Sequence, residues 1–253
     1  MTQTTTWTTW TTYRVPESLT LDTEESVVGT EWHQEAIGAL ADMLRAVADR
    51  RGAAWGVCAQ VALVGLRYSN GLPYDPRPDV MILARPLPGG EVSSIPVTAS
   101  GAPLFVAEVA SVSTGGNDIG EKRRAYEAIG VSEYVVFDAV GNVLPVPLRA
   151  WRLRDGVYVP WAADADGWWH SVSLGIAFRA TQPFLSVQDR DGTAILPSRE
   201  VRRRLDAVEQ ERDRLARRLA ATEQAQAEET RRRVDLEEQL RRLRVDRDRQ
   251  DNP

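Results

Sequence analysis

The sequence predicts an α/β (α+β) fold: a mixed β-sheet flanked by helices, with a C-terminal coiled-coil helix attached. Three observations predict it. The run Leu104 to Ala110 (LFVAEVA) is almost wholly apolar, as a central strand covered on both faces must be. A helical stretch from Asp118 to Ile129 and a further strand from Glu133 to Asp138 (EYVVFD) follow it, and that order implies a right-handed crossover within a mixed sheet. From Pro197 onward the chain turns to charged residues punctuated by leucine and valine at alternating spacings of four and three, the register of a coiled coil.

The elements follow in order. Met1 to Thr12 is Thr/Trp-rich and of low complexity, and residues 1–15 are expected to be disordered. Residues 16–197 then form the main domain. Thr30 can cap a helix reaching Arg51, with Trp32, Ala36, Ile37, Leu40, Met43, Leu44 and Val47 as one apolar stripe and Gly52 as its stop. Val57 to Tyr68 reads as a strand, and Asn70-Gly71 with Pro73, Pro76 and Pro78 makes the turn after it. Asp79 to Leu83 is a second strand, and residues 85–102 read as a surface loop. Asp118 can cap the crossover helix, which Gly130 closes. Past Val140 come short strands (LRAWRLR, VYVPWA, IAFRAT and FLSVQD, the last ending in an Asp191-Gly192 turn), expected to extend the sheet rather than build a second core. In residues 198–250, Val201, Leu205, Val208, Leu215, Leu219, Leu236, Leu240 and Leu243 keep one seam, which continues through the polar Arg212, Thr222, Gln226, Glu229 and Arg233. A coiled coil with a weak middle, forming a dimer, is expected, and the alternative for this segment is a single solvated charged helix.

Composition removes several function classes. No apolar run approaches the roughly 18–20 residues of a membrane span, and no secretory signal is visible. Cys58, the sole cysteine, excludes a disulfide framework and a cysteine-based zinc site, and reads as a small buried hydrophobe in a reducing, cytoplasmic setting. Two histidines make a His-based zinc hydrolase improbable, and His170, between tryptophans and Ser171, reads as structural. No nucleophile elbow, Walker A loop or dinucleotide fingerprint is present, and Ser111 and Ser113 fit loop and cap roles. The net charge of −5 averages unlike regions: residues 199–250 hold 16 Arg against 13 acids, so the remainder sits near −8. That deficit weakens non-specific DNA binding by the main domain but accommodates acids that hold a cation.

Three residues carry the chemistry. Glu108 lies inside an apolar strand, where an unpaired carboxylate would cost several kcal/mol, so a cation should meet it. Asp79 opens a strand after a proline-rich turn, and two acids on neighbouring strands can converge on one hard divalent ion. Lys122 is the chain's only lysine beside 30 arginines, and a compact ammonium does what a forked guanidinium does not.

Pro78-Asp79-Val80, the run Ala102 to Ser111, Asp118-Ile119-Gly120-Glu121-Lys122, Tyr126, Gly130-Val131 and Glu133-Tyr134 together resemble the Uma family of restriction endonucleases, within the PD-(D/E)XK superfamily, over roughly residues 25–190. The resemblance implies a restriction-endonuclease-like fold in which Asp79 and Glu108 hold Mg²⁺ (or Mn²⁺) and a lysine assists the attacking water. The superfamily's lysine two residues past the glutamate is replaced by Ala110, so the amine would come from Lys122 on the following helix. His33 and Glu35 on the first helix are possible accessory groups. The expected activity is metal-dependent cleavage of DNA by a homodimer joined through its coiled coil, with no membrane partner. The alternative is an inactive nuclease fold that binds nucleic acid or protein.

Overall fold

The structure, a computed structural model, describes residues 11–12, 31–68, 71–86, 92–111, 115–141 and 143–250. The Thr30 cap, Asn70, Ser113 and all of the expected disordered segment 1–15 except Thr11–Thr12 lie outside these residues. The chain divides into two units, residues 1–198 and 199–253.

The first unit is built on a six-stranded mixed sheet. Helix α1 (Glu31–Arg51) precedes β1 (Gly56–Ala59), β2 (Val80–Leu83), β3 (Phe105–Val109), β4 (Glu133–Phe137), β5 (Leu148–Arg154) and β6 (Val157–Pro160), and the strands lie side by side in sequence order. Within this sheet only β3 and β4 pair in parallel. The segment between them is the one long crossover, as parallel neighbours require. It consists of a helical turn (Gly115–Asn117), a π-helical stretch (Asp118–Lys122) and α2 (Arg123–Ile129). Gly130 ends it in the left-handed conformation at φ 87°.

Both faces of the sheet are covered, which explains the unbroken apolar strands. On one face Ile37, Leu40, Leu44 and Val47 of α1 pack on Val80, Ile82, Phe105, Ala107, Val109 and Val135. On the other, Tyr126 of α2 packs with Met81, Val106, Tyr134 and Val136. Strand alternation assigns each residue its face, so β2 and β3 send Met81 and Val106 towards the crossover. Asp79 and Glu108 share that parity.

Several expectations needed correction. Residues 57–68 are not one strand: Gln60 (φ 54°) and Gly65 (φ 95°) break the run into β1, Ala62–Val64 and Leu66–Arg67. The loop 85–102 holds a strand, Ser94–Pro96, that pairs in parallel with Ala62–Val64 and buries Ile95. LRAWRLR and VYVPWA extend the main sheet as β5 and β6. IAFRAT and FLSVQD instead become β8 (Ile176–Thr181) and β9 (Phe184–Asp189) of a separate four-stranded antiparallel sheet, with β7 (Trp169–His170) and β10 (Ala194–Ile195) at its edges. Phe178 and Val187 of that sheet join the core beneath α1, and Phe178 stacks on Phe105 at 5.2 Å. Trp32, assigned to the apolar stripe, is half exposed and meets Phe184 edge-on.

Asp138, at the end of β4, is fully buried and accepts four backbone N–H groups. Its Oδ1 takes those of Val140 and Gly141, and its Oδ2 those of Val143 and Leu144. Burial alone would raise its pKa, but these four donors hold it below the ordinary carboxylate value. The turn they shape sets Val143 against Gly115, where any side chain on the glycine would meet Val143 Cγ1 at 2.5 Å.

The second unit is a single helix, α3 (Ser198–Gln250), 53 residues long. All its side chains from Val201 to Arg242 are exposed, including Leu205, Leu215, Leu219, Leu236 and Leu240. No helix among the described residues is long and apolar enough to cross a membrane.

Candidate active site

The register of β2 and β3 creates the site. Val80 lies opposite Ala107, so one further step of the antiparallel ladder sets Asp79 opposite Glu108, both on the face that the crossover covers. Two reciprocal bonds fix the pair: the Asp79 N–H donates to Glu108 Oε2 at 3.3 Å, and the Val109 N–H donates to Asp79 Oδ2 at 2.8 Å. Glu108 is fully buried, and the Asp79 side chain is 14% exposed.

The crossover brings the cation. Lys122, the last residue of the π-helical stretch, places Nζ 3.3 Å from Glu108 Oε2 and 3.2 Å from Asp118 Oδ1. Its side chain is 7% exposed. Tyr126 donates from its hydroxyl to Glu108 Oε1 at 2.7 Å. Both oxygens of Glu108 are therefore engaged from the crossover side. The wider turn of a π-helix is often found at functional positions, and here it carries both Asp118 and Lys122. Tyr134 of β4 ties the segment to the sheet by donating to the Asp118 carbonyl at 2.7 Å.

Electrostatics agree with this packing. Burial is the largest influence on Glu108 and pushes its pKa up to about 7, against the lowering effect of Lys122; the neighbouring Asp79 raises it further. Asp79 is likewise raised by burial, to about 6, with the Val109 N–H and Lys122 acting in the opposite direction. The pair holds its negative charge reluctantly, and a cation between the two carboxylates would relieve that cost.

His33 of α1 reaches the same place from the opposite layer. Its Nε2 lies 2.7 Å from the Val109 carbonyl and 3.7 Å from Asp79 Oδ2. A carbonyl only accepts, so Nε2 carries the proton. The other accessory candidate, Glu35, is half-buried on α1. Ala110, where the superfamily pattern has its lysine, is buried apolar packing. His170 stands apart, paired with Asp164 at 2.6 Å on the exposed edge of the second sheet.

Asp79, Glu108, Lys122 and His33 are thus brought together. Two members of the cluster went unrecognised in the sequence. Asp118 reads in the sequence as a helix cap, yet it is buried, lies within the helical run and pairs with Lys122. Tyr126 enters the sequence reading only as part of a motif. The signal was present: residues 118, 122 and 126 are spaced by four, which puts them on one helix face.

Residues 22–187 match the family model Uma2, described as "Putative restriction endonuclease". Among solved structures, the chain is similar to one described as "a putative nuclease belonging to DUF820" from Anabaena variabilis. That likeness has a TM-score of 0.38 and 9% sequence identity, and it covers 53% of this chain and 68% of the other. No curated protein matches the chain.

Proposed function

The chain belongs to the Uma2 family, and from that premise we propose that it is a metal-dependent endonuclease cleaving DNA phosphodiester bonds, with Asp79, Glu108 and Lys122 as its working residues. The observation that carries this reading is the convergence of two opposed carboxylates and the chain's only lysine in one buried cluster. Membership of the family supports nuclease activity.

The donor set fits a hard divalent ion. Mg²⁺ and Mn²⁺ accept one or two carboxylates and complete their shell with water and phosphate oxygens. Among the described residues, no group of three or more His, Cys, Asp or Glu side chains is arranged to hold a metal. Asp79 and Glu108 would therefore be the protein's ligands, and the solvent-facing positions would remain for water and substrate. Bound there, such an ion polarises a phosphate and lowers the pKa of a water molecule.

The chain's own groups would do the rest. The Val109 N–H and the Tyr126 hydroxyl orient the two carboxylates. Nζ of Lys122 supplies a point charge beside the reacting phosphate, either stabilising the charge that develops there or orienting the attacking water. Asp118 holds that amine, and His33 fixes the Val109 carbonyl next to the pair. Two copies joined through residues 198–250 would bring the two sites that a double-strand cut needs. The thiol of Cys58, buried and raised to about 11 chiefly by desolvation, suits no catalytic use; a lone cysteine is compatible with a reducing, cytoplasmic setting.

Plasmid nicking with Mn²⁺ tests the proposal, with calorimetric Mn²⁺ titration beside it. Wild type should nick, Asp79→Asn should bind Mn²⁺ more weakly, and Lys122→Arg should cut about a hundred- to thousandfold more slowly. Equal Mn²⁺ affinity in Asp79→Asn removes that residue from the site. Salt-dependent DNA binding without cleavage under any metal would make the chain a binding module instead.

A further inference from the structure

We infer that α3 pairs with the same helix of a second copy of this chain, parallel and in register. The inference rests on the self-association proposed above and not on the nuclease chemistry. The helix is about 80 Å long at 1.5 Å per residue, and it presents seven apolar residues along one seam from Val201 to Leu240, each more than half exposed. An amphipathic stripe of that length is stabilised by another helix. The charges beside the seam identify which one.

Arg204, Arg218 and Arg232 each stand one position before a residue of the seam, and Glu209, Glu223 and Glu237 one position after. In a parallel, in-register pair, each position of the first kind faces the position five residues further along on the other helix. Arg204 then faces Glu209, Arg218 faces Glu223 and Arg232 faces Glu237, each twice by symmetry. The other described flanking positions, Glu211 with Ala216 and Ala225 with Thr230, bring no like charges together. Within the single chain Arg204 bonds Glu200 and Arg233 bonds Glu237; these pairs are exposed and exchange at little cost.

The antiparallel arrangements fit less well. Near full overlap, Glu209 would face Glu237, Glu223 would face itself and Arg218 would face Arg232. Slipped by one heptad, the charges improve and Arg212 meets Glu229. Leu215 then falls opposite Gln226, Leu219 opposite Thr222 and Val208 opposite Arg233, leaving apolar residues matched only at Val201–Leu240 and Leu205–Leu236. The parallel pair matches all seven apolar positions with themselves, and buried apolar area outweighs exposed ion pairs. Its cost falls at Arg212, Glu229 and Arg233. There the arginine stems carry charge out past the seam, Arg212 beside Glu211 of the second copy and Glu229 beside its Arg233.

Cysteine cross-linking of the full chain separates the alternatives, because Cys58 is buried and is the one native thiol. Val201→Cys alone and Leu240→Cys alone should each form a disulfide-linked dimer on mild oxidation. In an antiparallel pair the two thiols introduced at position 201 would be roughly 60 Å apart, so neither variant would cross-link by itself and only their mixture would. Sedimentation adds a second readout. Arg204, Arg218 and Arg232 all changed to Glu should weaken self-association about a hundredfold, as should Glu209, Glu223 and Glu237 all changed to Arg, and mixing the two proteins should restore a dimer. Cross-linking confined to the mixture of cysteine variants overturns the orientation. A monomeric wild type overturns self-association itself, whatever the outcome of the cleavage assay.

Discussion

Replacing Lys122 by methionine keeps most of the side chain's volume and removes its charge. In the wild type the ammonium sits 3.3 Å from a fully buried Glu108 and 3.2 Å from a buried Asp118. Without it, both buried acids lose their cation. Breaking a buried pair by removing one partner costs about 3–5 kcal/mol, and urea unfolding at pH 7.5 should show a loss of that size. Glu108→Gln in the same background should recover part of it, with a coupling of about 1–3 kcal/mol in the double-mutant cycle. The pH dependence gives an independent check. Glu108 already has its folded pKa raised to about 7, above an unfolded value of about 4.3, and removing Lys122 raises it further. A carboxyl raised in the folded state binds protons that the unfolded chain does not, so stability grows as pH falls from above 7 towards the unfolded value. The Lys122→Met deficit should therefore shrink between pH 7.5 and pH 5. A variant as stable as wild type at pH 7.5, or a deficit that widens on acidification, would refute the buried pair.

Two further substitutions follow from the same geometry. Tyr126→Phe deletes the 2.7 Å donor to Glu108 Oε1; it should cost about 1–3 kcal/mol in chemical denaturation and slow nicking less than Lys122→Arg does. Asp138→Asn sets an amide against two of the four N–H groups that the carboxylate accepts, an expected loss of about 2–4 kcal/mol at pH 7. Because the folded pKa of Asp138 is depressed, its contribution is present above about pH 4 and fades as pH falls through the folded value. The gap between the two proteins should therefore narrow in thermal melts as pH falls below about 4, and a constant gap would contradict the assignment.

The sheet was legible where both faces are covered. Burial on two sides leaves unbroken apolar runs, and β2, β3 and β4 sit within a residue of the ends read from LFVAEVA, EYVVFD and the PDVMIL segment. Legibility failed where backbone conformation decided the outcome. The breaks at Gln60 and Gly65 depend on positive φ values that an apolar, β-branched composition does not announce. The second sheet was missed because strands of six residues look alike whether they extend one sheet or found another; the contact between Phe178 and Phe105 is long-range and leaves no local trace. At the site, the acids were found through their anomaly, a carboxylate within an apolar strand and an acid at a strand end. Asp118 had an ordinary alternative as a cap, and that reading hid the spacing of four that sets it beside Lys122.

The amine at this site comes from the crossover rather than from the strand that carries the glutamate, and that has a consequence for how the protein matures. Pairing β2 with β3 brings the carboxylates together, but it brings no cation. Lys122 arrives only when residues 115–129 have docked, an event that also requires Gly115 to seat against Val143 and Tyr134 to reach the Asp118 carbonyl. A chain caught between those two events has two acids and no amine, so on the proposed reading the site would be incomplete until the crossover has docked.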